Sequence, residues 1–182
     1  MPRIAPVVHS SATGKAKDLL DGVNKKLGFV PNMMASMAQS PAVLEAYLNF
    51  SGALGGGSLN AKVREQIALA VAEANTCDYC ASAHTAIGKM VGLKDGEVEN
   101  ARHAQAEDAK VATILTLAQR LVLSKGRLTD TELSKARAAG LSDGEIQEVV
   151  ANVALNIFTN YINHVNDPAI DFPTIVKTRG VA

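Results

Sequence analysis

Between Pro41 and Pro168 the chain has no proline, and across that interval apolar residues recur every three or four positions. This is the period of helices with one covered face, and it predicts an all-α fold. Thr13 is placed to cap a first helix that carries Leu19, Leu20, Val23 and Leu27 on one stripe and stops at Gly28. Phe29-Val30-Pro31 reads as an extended link. Met33, Met34 and Met37 follow at helical spacing, as core filler or as an adaptable pocket wall. Pro41 opens a helix to about Leu54, and Gly55-Gly56-Gly57 stops it. With no strand before it and no Lys-Ser/Thr after it, the glycine run is a flexible connection and not a phosphate loop. Asn60 then caps a helix over Ala61–Ala74, Asn75-Thr76 interrupts, and with Thr76 as cap the helical pattern resumes from Cys77 to Val91. Further on, Gly92 and Gly140 each end one helix just before another starts. Thr129 with Glu132 and Ser142 with Glu145 form capping boxes, and a long helix over about residues 109–125 lies before them.

At 182 residues the chain is expected to be one domain, residues 1–182, long enough to bury a substantial core. Lys plus Arg and Asp plus Glu both number 18, and no basic run stands out, which argues against a nucleic-acid or anionic-membrane role. No segment reaches the length of a membrane span, and the opening nine residues lack the long apolar core of a signal peptide, so a cytoplasmic location is expected. Trp is absent and Ala abundant, which suits closely packed helices. Two cysteines are too few for a disulfide framework, and a redox or metal role is the better expectation.

Both cysteines fall in the stretch from Arg64 to Gly88, which reads as a helical hairpin. Its second helix places Cys77, Cys80, His84, Ile87 and Val91 on one stripe, with Cys80 and His84 as an i,i+4 pair. Folding the chain back between Asn75 and Thr76 sets Glu65 opposite position 86, within a turn of His84. The expected order in space is Glu65, His84, Cys80, Cys77. Glu65 shares its face with Ala68, Leu69 and Ala72, and a carboxylate on an apolar stripe needs a partner unless it is an ordinary surface Glu. Two thiolates and an imidazole also suit zinc, from Cys77, Cys80 and His84 with or without His164, although ligands strung along one helix make a poor tetrahedral cage. His164, among Asn160, Asn163 and Asn166, either lines an active-site cleft or belongs to a structural network at a helix end. An echo at an interval of 80 pairs Glu65 and His84 with Glu145 and His164, through duplication or chance, and His103 reads as a solvated helix residue.

Glu65, Cys77 twelve residues later, Cys80 and His84 together resemble the signature of the AhpD-like branch of the carboxymuconolactone decarboxylase family. Residues 28–32, 158–165 and 171–173 are also similar to family segments, so the likeness covers most of the chain. One position departs: Tyr79 stands just before the second Cys, where the family can place a His. The resemblance implies an AhpD-like helical domain with the Cys-x-x-Cys-x-x-x-His motif on its central hairpin, assembled as a homotrimer or homohexamer and needing no cofactor. It implies a thiol peroxidase, or dithiol-disulfide oxidoreductase, that reduces organic hydroperoxides. Cys80 would attack, since it alone is i,i+4 to His84, Cys77 would resolve, and Glu65 would be the distal end of a proton relay through His84. The helix N-terminus favours a thiolate there and Asp78 opposes it. The electron donor would be a thiol carried by a lipoyl protein, a thioredoxin-like protein or a peroxiredoxin. The other family activity, cofactor-free decarboxylation of a carboxymuconolactone-type acid, needs no dithiol and stands as the alternative.

Overall fold

Helix Ala61–Ala74 is apolar at every position from Ile67 to Ala72, more than one full turn, and a helix with that pattern has to be covered on several sides at once. The computed structural model, which describes residues 1–173, 175 and 177–180, covers it with four other helices. Among the described residues all the regular elements are helical. After a 3-10 turn at His9–Ser11 come α1 (Gly14–Leu27), α2 (Asn32–Met37), α3 (Pro41–Gly55), α4 (Ala61–Ala74), α5 (Asp78–Met90), α6 (Asp95–Arg102), α7 (Ala109–Leu123), α8 (Asp130–Ala138) and α9 (Asp143–Asn166). The all-α expectation holds, and none of these helices is long and apolar enough to cross a membrane.

α4 pairs with α5 as the hairpin and packs on α6, α7 and α9. Two apolar clusters result. One joins Ile67, Leu69 and Val71 of α4 to Ile114, Leu115 and Ala118 of α7 and Val149 and Val153 of α9. The other gathers Leu20 of α1, Met37 of α2 and Leu44 of α3 around Tyr79, Cys80 and Ala81 of α5. Ile67 and Leu69 are fully buried, so truncating either to Ala costs about 2–5 kcal/mol.

Side-chain caps mark where several helices begin, although Thr13, at the cap position of α1, makes no side-chain bond there. The Asn60 side chain accepts from Val63 N–H at 3.1 Å, and both capping boxes form, Thr129 with Glu132 and Ser142 with Glu145. Two connections differ from expectation. Thr76 does not cap α5: it takes the left-handed conformation, φ 54°, after the end of α4. Its N–H donates to Glu73 O at 3.1 Å and that of Cys77 to Ala72 O at 2.9 Å, the paired bonds of a Schellman closure usually built on glycine. The cap of α5 is Cys77, whose sulfur accepts from Cys80 N–H at 3.3 Å. Nor is the glycine run merely a flexible connection. Glu148 of α9 accepts from Ser58 N–H at 2.8 Å and Leu59 N–H at 2.9 Å, and a Cβ on Gly57 would stand 2.6 Å from that carboxylate.

Candidate functional site

The hairpin turn fixes the cysteine pair. Because the chain reverses at Thr76 and α5 starts immediately, Cys77 lies before the first turn and Cys80 within it, with their Cα atoms 5.3 Å apart and their sulfurs joined in a disulfide. Both cysteines are buried, at 2 % exposure, yet their surroundings differ. Cys80 lines a cavity of about 950 Å³ enclosed by α1 to α5, α9 and residues 171–173, whereas Cys77 packs in the apolar cluster behind it.

Two of the expected contacts form, Glu65 with His84 across the hairpin and Cys77 with Cys80 at the start of α5. Glu65 on α4 faces α5, and His84 Nδ1 stands 2.7 Å from Glu65 Oε2. A carboxylate in its ionised form only accepts, so Nδ1 carries the proton and Nε2 is left as the basic nitrogen. Side-chain exposures of 21 % for His84 and 18 % for Glu65 place the pair at the cavity edge, dry enough to be directional and still in reach of water. Glu65, His84 and Cys80 all line the cavity.

Two tyrosines stand in the same wall. Tyr47 of α3 occupies an apolar position of its helix, and no motif marks it in the sequence. Burial, and then the negative charge of Glu65, push its phenol up to about 12, so it stays protonated. Tyr79, at the position of the departure from the family pattern, is tied up structurally. Its hydroxyl donates to Asp171 Oδ1 at 2.7 Å and accepts from Met33 N–H at 3.1 Å, while Asp171 Oδ2 accepts from Asn32 N–H at 2.7 Å. Burial is the main reason its phenol is held well above the usual range. Phe172 then packs edge-on against both Tyr79 and Phe29, closing one end of the cavity. Met33 and Met34 line the cavity while Met37 is core, so the methionine run serves both of its expected uses.

His164 does not reach the cavity. It is exposed, and its carbonyl accepts from Arg3. Its neighbour Asn163, one helical step of 100° away, faces inward together with Asn152, Asn156 and Thr159, and these four line the cavity from α9. The signal for this stripe is in the spacing, since 152, 156, 159 and 163 repeat at helical intervals. Among the described residues no group of three or more His, Cys, Asp or Glu side chains could hold a metal ion. With His164 on the outside, the zinc cage loses its fourth ligand. His103 is exposed beside Glu99, as expected of a solvated position.

A segment beyond α9 runs past the start of α5. Asp78 Oδ1 accepts from both the N–H and the hydroxyl of Thr178 at 2.8 Å, and Glu73 Oε1 accepts from Arg179 N–H at 2.7 Å. Glu73 is itself buried in an ion pair with Arg102 at 2.8 Å. The carboxylate of Asp78, which was expected to oppose a thiolate at Cys80, is thus engaged by Thr178.

Residues 41–122, which span α3 to α7 and hold all four candidates, match the model of the carboxymuconolactone decarboxylase family. No curated relative matches the chain. Solved structures share its fold, among them two peroxidase-related proteins and a debrominase. An uncharacterised peroxidase-related protein from Ralstonia eutropha JMP134, described as an alkylhydroperoxidase AhpD core, is 21 % identical with a TM-score of 0.83 over 94 % of this chain and 92 % of its own. A peroxidase-related protein from Silicibacter sp. TM1040 is 20 % identical with a TM-score of 0.80 over 93 % and 94 %. The debrominase Bmp8, solved with 2,3,4-tribromopyrrole, is 21 % identical with a TM-score of 0.79 over 93 % and 91 %. Residues 41–122 are thus similar to the carboxymuconolactone decarboxylase family, and in its fold the chain is AhpD-like.

Proposed function

We propose that this protein is a thiol-dependent peroxidase that reduces organic hydroperoxides at Cys80 and is returned to its dithiol state by a thiol donor. The observation that carries the reading is the asymmetry of the redox pair: Cys80 lines the cavity with His84 and Glu65, and Cys77 sits behind it at disulfide distance. In the reduced protein His84 Nε2 takes the Cys80 thiol proton. The thiolate attacks the terminal oxygen of R–O–O–H, the S–O bond forms as the O–O bond breaks, and the leaving alkoxide takes the proton back from His84 as ROH. The Cys77 thiol then condenses with the Cys80 sulfenic acid, giving the disulfide and one water. Two electrons and two protons from an external dithiol, or from two thiols, close the cycle.

The cavity lies in the range of sites for drug-sized ligands, and most of its lining side chains are apolar, which favours a bulky organic hydroperoxide over hydrogen peroxide. Decarboxylation of a lactone acid gains nothing from a dithiol, and the disulfide counts against it. In reduced Cys77→Ser protein, cumene hydroperoxide should leave a sulfenic acid on Cys80 that a sulfenate-trapping reagent labels, faster than hydrogen peroxide does. Labelling of Cys77 in Cys80→Ser protein, and never the reverse, would invert the roles; no labelling with any hydroperoxide would end the reading. Dihydrolipoamide and a thioredoxin serve as donors for wild-type turnover. A brominated pyrrole enters the same panel, because a debrominase shares the fold.

A further inference from the structure

Helices α4 and α5 supply the relay, yet the Cys80 sulfur is also touched from α9. Asn163 Nδ2 lies 3.1 Å from Cys80 Sγ and 3.3 Å from Met33 Sδ. Both sulfurs act as acceptors, so the amide presents its N–H groups to them and its oxygen elsewhere. That oxygen, Oδ1, is buried without a hydrogen-bond partner among the described residues, in a residue that is 4 % exposed and lines the cavity. A buried amide oxygen with nothing to accept from is a standing cost to the fold, and such groups call for an explanation. The sulfur in contact belongs to the disulfide; in the reduced protein the same atom is the attacking thiolate. There the N–H contact becomes a charge-assisted bond and strengthens.

We propose that Asn163 is a further catalytic residue, which holds the Cys80 thiolate through Nδ2 and receives the O–H of the incoming hydroperoxide through Oδ1. The second half rests on the peroxidase reading; the first rests on the contact alone. Accepting that O–H sets the terminal oxygen beside the sulfur, and the same hydrogen stays on oxygen as the sulfenic acid forms, so Asn163 transfers no proton. The side chain thereby discriminates between electrophiles, since a dialkyl peroxide offers it nothing.

The test uses reduced Cys77→Ser protein as parent and follows Cys80 alkylation by iodoacetamide against pH. Asn163→Leu, of similar volume, should move that curve to higher pH by about one unit, a tenfold loss of thiolate below its midpoint. Its melting temperature should equal or exceed the parent's, because an unpartnered oxygen leaves the interior. At pH above the midpoint alkylation should recover, while attack on cumene hydroperoxide stays slower by about tenfold. Asn163→Asp, which keeps an acceptor and adds a charge beside the sulfur, should shift the curve further still. A curve for Asn163→Leu that overlays the parent, with a lowered melting temperature, would make the amide a mere brace between α9 and α5 and overturn the proposal. Should that variant fail to fold, overlay of the Asn163→Asp curve overturns it equally. A parent that forms no sulfenic acid with any hydroperoxide removes the peroxidase reading and the Oδ1 half with it, and the alkylation curve still decides the role at the thiolate.

Discussion

At the scale of single residues, the pairing that organises the site is Glu65 with His84. A glutamate on an otherwise apolar stripe of α4 finds its partner across the hairpin at 2.7 Å, and the bond commits the imidazole to one tautomer. In the proposed mechanism the carboxylate holds the ring and offsets the charge of the proton that Nε2 takes from Cys80, so its charge matters beyond its shape. Glu65→Gln should therefore slow Cys80 alkylation near neutral pH in the reduced protein by about tenfold or more, as positioned acid-base groups do. If the carboxylate only ties α4 to α5, the variant melts lower and its alkylation curve overlays wild type.

At the scale of elements, what could be read from the chain was local chemistry: the caps at Asn60, Thr129 and Ser142, the glycine stops, and the hairpin register that joins Glu65 to His84. What could not be read were choices between two local solutions. Asn75-Thr76 offered a side-chain cap, but closing α4 in a Schellman turn required a left-handed residue, and Thr76 supplies it despite its branched Cβ. Likewise His164 and Asn163 compete for the inward position on α9, and only tertiary packing sets which face of that helix meets the cavity. The link between α3 and α4 was illegible because its partner, Glu148, lies about 90 residues away. Hydrogen bonds from the backbone of Ser58 and then Leu59 hold the Glu148 carboxyl below its ordinary value. A carboxylate lowered on folding stabilises the protein above its unfolded value near 4.5, and that contribution is lost as pH falls through the folded value. Glu148→Gln should thus melt lower at pH 7, by about 2 to 4 °C for a loss near 1 kcal/mol, with the gap closing below pH 4.5. Gly57→Ala, which pushes a methyl into the same carboxylate, should produce a similar loss at pH 7. The double variant should be little worse than either single one, and full additivity in thermal melts at the two pH values would separate the glycine from the carboxylate.

At the scale of the whole molecule, the cysteine pair lies between two surroundings: the cavity on the Cys80 side, and on the other the segment that crosses the start of α5. That crossing has a consequence for proteolysis. In the bond between Lys177 and Thr178, the lysine carbonyl accepts from Arg102 Nη2 at 3.4 Å and the threonine N–H donates to Asp78 at 2.8 Å, so an exposed trypsin site is held by both of its peptide groups. A protease needs that strand released into its own cleft, and the native protein should resist cutting there. Asp78→Ala frees the threonine end without touching the Glu73–Arg102 pair, and trypsin should then cut after Lys177 several times faster while the melting temperature barely moves. Equal cutting rates would mean that the Asp78 contacts do not hold the segment in solution. With the anchors Asp78 and Glu73 one and four residues from Cys77, the cutting rate at a single lysine becomes a gauge of the α4–α5 junction, readable on a gel in either redox state.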